Sequence, residues 1–235
     1  MVVATLALLA LAAPHPAWSA NPTVFLSWHA PYGSPGATQT LVAKCTDDPT
    51  VRDTLYLTFE TGRNAPTLYG MAATIYFRAM LGDTLGRFWW FGGGERNPRN
   101  IRIEWARDSC TGCTKPWHAS GPGSVMYDRT SGSGRLNLLY AVPANLAAAV
   151  ADSTLYCFAR LLFPRPRPGE LSCDKPICIE WGIGEFSFEL GAQDAHPGRE
   201  GARYASWNSP QGEVCASYRD VSRTRPWRPR EGTRR

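Results

Sequence analysis

Seven cysteines carry most of the chemistry open to this sequence. Cys110-Thr-Gly-Cys113 has the spacing of a redox dithiol, in which a helix N-terminus makes the first thiol reactive by lowering its pKa. The flanks supply no such helix, because Trp105 closes an alternating segment before the pair and Thr114-Lys-Pro116 follows it. A structural disulfide between Cys110 and Cys113 is therefore expected, and redox catalysis is the third functional class in order of merit. Together with His118 the pair offers three zinc ligands without a fourth nearby, so no metal site is assigned. Cys173 and Cys178 enclose Asp-Lys-Pro-Ile and are expected to close a second small loop. Of the remaining three, Cys157 lies on the apolar side of its segment and reads as a buried free thiol. That leaves Cys45 to pair with Cys215.

Hydrolysis asks for a nucleophile beside a base, or for two carboxylates in a cleft. Past the first twenty residues the histidines are His29, His118 and His196, and no Gly-x-Ser-x-Gly elbow sits between a strand and a helix. Ser131-Gly-Ser-Gly falls in a turn-rich stretch. Glu104, Glu180, Glu185 and Glu189 fall in or beside alternating segments, where glutamate sits on a solvated face by default. No catalytic residue is assigned. Gly92-Gly-Gly-Glu-Arg could cradle an anion through backbone N–H groups, but no helix follows it. Asp47 and Asp48 with Asp53 are candidates to help hold a structural Ca2+, an ion that takes several oxygen ligands. The tryptophans are the most suggestive excess, nine in all. Indole faces on a rigid sheet can stack on sugar rings, so Trp89, Trp90, Trp117 and Trp181 are the candidate ligand-binding residues.

The elements that must hold these residues are strands. Leu55, Leu57 and Phe59 alternate with polar neighbours over 53–60, and Met71, Ala73, Ile75 and Phe77 do so over 71–78. The same pattern recurs at Ile101–Trp105, Leu136–Tyr140, 154–163, Ile177–Trp181 and Phe186–Leu190. Shorter candidates are Val24–Trp28, Thr40–Lys44, Arg87–Phe91 and Arg203–Trp207. Stretches rich in Gly, Pro, Asn and Ser separate them, including Thr61–Pro66, Gly92–Asn100 and Ser120–Gly134. One short helix, Asn145–Ala151 after Pro143, is the only helical candidate. Such a pattern predicts an all-β, two-sheet antiparallel sandwich of jelly-roll type with at most one short helix.

At the N-terminus, Val2–Ala13 is too short to span a bilayer and has the length of a signal-peptide core, although no Lys or Arg precedes it. Ala17-x-Ser19 fits cleavage before Ala20 or Asn21. The expected organisation is a signal peptide at 1–20, a single sandwich domain at 21–218 and an Arg-rich tail at 219–235. Seven arginines in that tail account for the net charge of +5, so the body is nearly neutral and nucleic-acid binding is not expected. No later segment is apolar and long enough to anchor in a membrane. Cysteine content and the leader both point to a secreted or periplasmic protein.

The run from Asp53 to Phe59, then Tyr69–Phe77, then Gly82-Asp-Thr-Leu-Gly, resembles the early strands of cohesin-like jelly-roll sandwiches. Leu155–Leu161 is similar to the strand on which such domains lay a long apolar face. The resemblance implies a non-catalytic module that binds a partner protein, and it assigns no contact residues. The sequence thus predicts an exported binding or structural module whose ligand is a glycan or another exported protein. The alternative is a glycan-active hydrolase with a glutamate pair in an aromatic-lined groove.

Overall fold

A computed structural model describes residues 22–62, 65–79, 83–89, 91, 100–105, 112–117, 121–129, 132–170, 172–189, 203–209 and 215. The segments assigned to the leader and the tail lie outside these residues, as do Trp90, Cys110, His118 and the Gly92–Arg96 loop.

Among the described residues eleven strands form: β1 Thr23–Trp28, β2 Thr40–Leu41, β3 Arg52–Glu60, β4 Ala65–Ala79, β5 Arg102–Trp105, β6 Gly123–Arg129, β7 Ser133–Ala141, β8 Ala148–Val150, β9 Tyr156–Pro164, β10 Ile177–Phe188 and β11 Tyr204–Trp207. They assemble into two sheets. One has four strands in the order β1-β3-β9-β5; the other runs β2-β11-β10-β4-β7-β6, with β8 added against β4. Pairing is antiparallel except for the short parallel contact of β2 with β11. The expected all-β sandwich is what forms. Leu55, Leu57 and Phe59 from one sheet meet Ile75, Phe77 and Phe186 from the other in one continuous core. Trp28, Trp89, Trp207, Phe77 and Phe163 pack there edge to face at one end.

Two bulges decide which side chains face that core. In β10 the inward residues are Ile177, Ile179 and Trp181, and then Phe186 and Phe188, a switch from odd to even numbers. The register slips between Trp181 and Ile183, so Gly182 absorbs the extra residue and both apolar sets point inward. What the sequence presents as two segments is therefore one strand. A Cβ on Gly182 would lie 2.2 Å from the Tyr76 ring, and glycine is what permits the ring to lie there. In β9 a second slip occurs between Leu57 and Thr58 of its partner strand. Ala159, Leu161 and Phe163 remain inward, whereas Cys157 faces Thr58 on the outer side.

Three local expectations are corrected. Arg87–Phe91 is not a strand; Arg87–Trp89 is a single 3-10 turn that drops Trp89 into the core. Asn145–Ala151 is not a helix, since a 3-10 turn at Ala144–Leu146 leads directly into β8. Ser120–Gly134 is not all loop, because it holds β6, fastened from inside by Tyr127, whose hydroxyl donates to the Trp89 carbonyl.

Candidate functional site

The disulfide pairing differs from the expected one throughout. Cys45 bonds Cys173, Cys113 bonds Cys157 and Cys178 bonds Cys215. Cys113 reaches Cys157 because the β9 bulge turns that thiol outward, so Cys157 is not a buried free thiol. The segment around Cys113 runs alongside the start of β9, with the Thr114 amide donating to Leu155 and the Cys157 amide to Thr114. Cys178 lies on the outer face of β10, away from the turn that carries Cys173, so those two do not close a loop. Cys45 and Cys173 join the β2–β3 and β9–β10 connections at one end of the sandwich. Asn208, in a left-handed conformation, clasps the same two connections: its side chain accepts from the Ala43 amide and donates to the Cys173 carbonyl.

The described candidates for sugar stacking, Trp89, Trp117 and Trp181, do not form a platform. Trp89 and Trp181 are fully buried and Trp117 is 3% exposed. Trp117 donates to the Leu68 carbonyl, and Trp181 donates to that of Ile183. Their ring faces pack on Phe77, Phe158 and Tyr140 and are unavailable to a ligand.

Nor do the glutamates converge. Glu104 lies on the four-stranded sheet and pairs with Arg102 and Arg160. Glu180 lies on the other sheet's outer face, bridging Arg78 at 3.0 Å and Arg203 at 3.1 Å. Glu185 shares that face, but Glu180 sits opposite Tyr76 and Glu185 opposite Ala72. Four residues of strand separate the two by about 13 Å, outside the window of roughly 5–10 Å that a glycosidase pair needs. Glu189 stands beyond the end of β10 beside Thr67.

The aspartates likewise turn to separate partners. Asp53 is 2% exposed and accepts two bonds of 2.8 Å from Arg165, which raises the Arg165 pKa. Asp48 accepts from the hydroxyl and the amide of Thr50, and these bonds lower its pKa. No cluster of three or more His, Cys, Asp or Glu side chains fit to hold a metal occurs among the described residues.

A different surface stands out. On the outer face of the larger sheet, Met126 lies opposite Asn137, Asn137 opposite Thr74, and Thr74 opposite Ile183. Leu139 and Ala72 occupy the adjacent row. Met126, Leu139 and Ile183 are 65%, 51% and 47% exposed, although alternation leaves these outward positions for polar residues. They surround a Thr74–Asn137 hydrogen bond of 3.0 Å. The next rows are ionic: Arg135 pairs with Asp128, which raises the Arg135 pKa, and Glu180 joins its two arginines. Apolar residues beside a satisfied polar margin form the anatomy of a protein-binding patch. Sequence reasoning passed over all three. Their signal was an apolar residue out of phase: Leu139 follows Leu138, and Ile183 sits between two glycines just past the bulge.

No family model and no curated protein matches this sequence. Solved structures similar to this chain include two cohesin structures. One is a chain of a type I cohesin–dockerin complex from Clostridium thermocellum, 14% identical, covering 80% of this chain and 93% of that chain, with a TM-score of 0.43. The other is a type II cohesin domain from the cellulosome of Acetivibrio cellulolyticus, 10% identical over 80% of this chain and 96% of that one, with a TM-score of 0.36. The cohesin-like resemblance is thus a weak one, confined to the fold.

Proposed function

We infer that this chain is an exported, non-catalytic binding module whose partner is another exported protein, held against the outer face of the seven-stranded sheet. The observation that carries this reading is the apolar group Met126, Leu139 and Ile183 on a face where strand alternation calls for polar side chains. The sheet beneath it is anchored by a core of interlocked aromatics, so the patch is pre-organised and little ordering opposes binding. The three disulfides among the described residues suit an oxidising compartment. Cohesins, whose fold this chain weakly resembles, include the member of the cohesin–dockerin complex named above, and a protein partner is in keeping with that.

A glycan ligand has less support, because Trp89, Trp117 and Trp181, the described tryptophans that would stack on it, are buried. Tyr76, the aromatic nearest the patch, already packs on Gly182 and carries Arg78 over its ring at 5.0 Å. A glutamate-pair hydrolase is disfavoured by the ion pairs of Glu104 and Glu180 and by the spacing of Glu180 and Glu185.

The test is capture from the secreted proteins of the producing cells on immobilised mature chain. The double variant Leu139→Asp/Ile183→Asp is expected to lose the captured protein, and Leu162→Asp on the opposite sheet is expected to retain it. Capture that survives the first variant, or a glycan-array signal in the absence of any protein partner, would refute the reading.

A further inference from the structure

β6 is the last strand of its sheet. β7 pairs with it on one side, and no strand among the described residues pairs with it on the other. Along such an edge every second residue turns its N–H and C=O outward, which makes a template for a further strand. Protein edges are normally blunted by shortness, by Lys or Pro, by a bulge or by a covering loop. The other described edges follow that rule. β2 has two residues and β5 has four. The end of β1 is bridged to Thr38, and Tyr32 stacks on its Phe25. β6 is neither short nor bulged. It runs for seven residues without Lys or Pro, and its register with β7 is unbroken from Gly123 to Arg129. Its middle residues Val125 and Met126 are 43% and 65% exposed.

We propose that β6 pairs edge to edge with β6 of a second copy, antiparallel about a twofold axis at Met126, to make one sheet continuous across two chains. Charge selects this arrangement. Centred on Met126, antiparallel pairing sets Ser124 opposite Asp128 and Val125 opposite Tyr127, so no like charges face each other. A parallel pairing in register would put Asp128 beside Asp128, which is destabilising. In the antiparallel arrangement Asp128 keeps its ion pair with Arg135 of its own chain and faces no second carboxylate. Directly opposed residues share a sheet face, so the two Met126 side chains meet at the axis. The patches of the two copies then adjoin. This inference stands apart from the partner reading, since it uses the edge of the sheet rather than its face.

Sedimentation velocity of the mature chain tests it. An edge interface of this size is expected to associate reversibly at roughly micromolar concentrations, with the mass rising from one chain to two. Val125→Lys places a cation in the middle of the edge and is expected to hold the protein monomeric with its circular dichroism and Tm unchanged. Ile183→Asp, three strands away on β10, is expected to leave dimerisation intact while partner capture fails, so the two readings fail separately. Met126→Cys is expected to form a covalent dimer on oxidation far faster than Leu139→Cys, because only position 126 faces its own copy. A single-chain mass at every concentration, dimerisation that persists in Val125→Lys, or equal cross-linking of the two cysteine variants would overturn the proposal.

Discussion

Removing the Cys45–Cys173 bond with Cys45→Ala/Cys173→Ala is expected to cost the folded chain more than removing either of the other two described bridges. The bond joins positions 128 residues apart, and the Cys113–Cys157 bond, 44 residues apart, lies inside that loop. With the inner bond intact, about 84 residues of free chain (128 less 44) are released on cleavage. In the chain-entropy model a closed loop of that length restrains the unfolded state by about 4.5 kcal/mol at 25 °C, against about 3.8 kcal/mol for the 37-residue separation of Cys178 and Cys215. The folded state keeps its other ties at that end, since Asn208 bridges Ala43 and Cys173 and the Thr46 amide donates to Pro166. The loss therefore arises in the unfolded chain. A domain stability of about 5–15 kcal/mol would fall by roughly 30% at the upper end of that range and by most of its value at the lower end. The assay is urea unfolding without reductant, followed by the fluorescence of the buried tryptophans. The midpoint is expected to drop and the m-value to rise, because the released chain exposes more surface when unfolded. A loss below about 1 kcal/mol with an unchanged m-value, or a smaller loss than for Cys178→Ala/Cys215→Ala, would refute the reasoning.

Arg165→Met is expected to cost about 3–5 kcal/mol, because it strands the Asp53 carboxylate in the interior. Asp53→Asn is expected to cost roughly half as much or less, since Arg165 is 26% exposed and can turn to water; thermal unfolding of both variants checks the ranking. Gly182→Ala drives a methyl into the Tyr76 ring and is expected to destabilise by about 1–3 kcal/mol, with much of the loss absent in a Tyr76→Ala background, as a double-mutant cycle would show. For Asp48 the folded pKa lies below the unfolded value, so its small contribution is complete above the unfolded carboxylate range and is lost as pH falls through the lowered folded value. NMR titration of the Asp48 carboxyl is expected to give a midpoint below the ordinary value in the native chain and a higher one in Thr50→Val, which loses the hydroxyl bond and keeps the amide bond.

The sandwich was legible because most strands have a polar and an apolar side. Leu55-Tyr56-Leu57-Thr58-Phe59 can bury one face only as a strand, and β3 forms there. Legibility failed wherever a bulge reset the phase. Cys157 shares parity with Ala159 and Leu161, so it reads as a core residue, and only the slip opposite Thr58 sends it outward to Cys113. That slip depends on pairing with β3, which lies a hundred residues earlier. The same limit applied to β10, where Gly182 hides the continuity of two apolar sets. β6 was missed because its flanking glycines read as turn signals, while its strand character comes from β7 alongside it. Asn145–Ala151 has helix-forming alanines, but the edge of β4 offers its backbone a ladder, and tertiary pairing outweighs local propensity. The tryptophans were legible as a group and not in place, since alternation cannot tell a sealed core from an exposed platform once both sheets are rich in aromatics. The patch of Met126, Leu139 and Ile183 is drawn from three strands, and only their register makes them neighbours.

Hydroxyl-radical footprinting of the chain, alone and bound to the protein it captures, tests the central claim most directly. Leu139 and Ile183 are expected to lose their labelling in the complex, while Tyr56 and Leu162 on the four-stranded sheet keep theirs. Protection confined to Tyr56 and Leu162, with Leu139 and Ile183 labelled as in the free chain, would contradict the account.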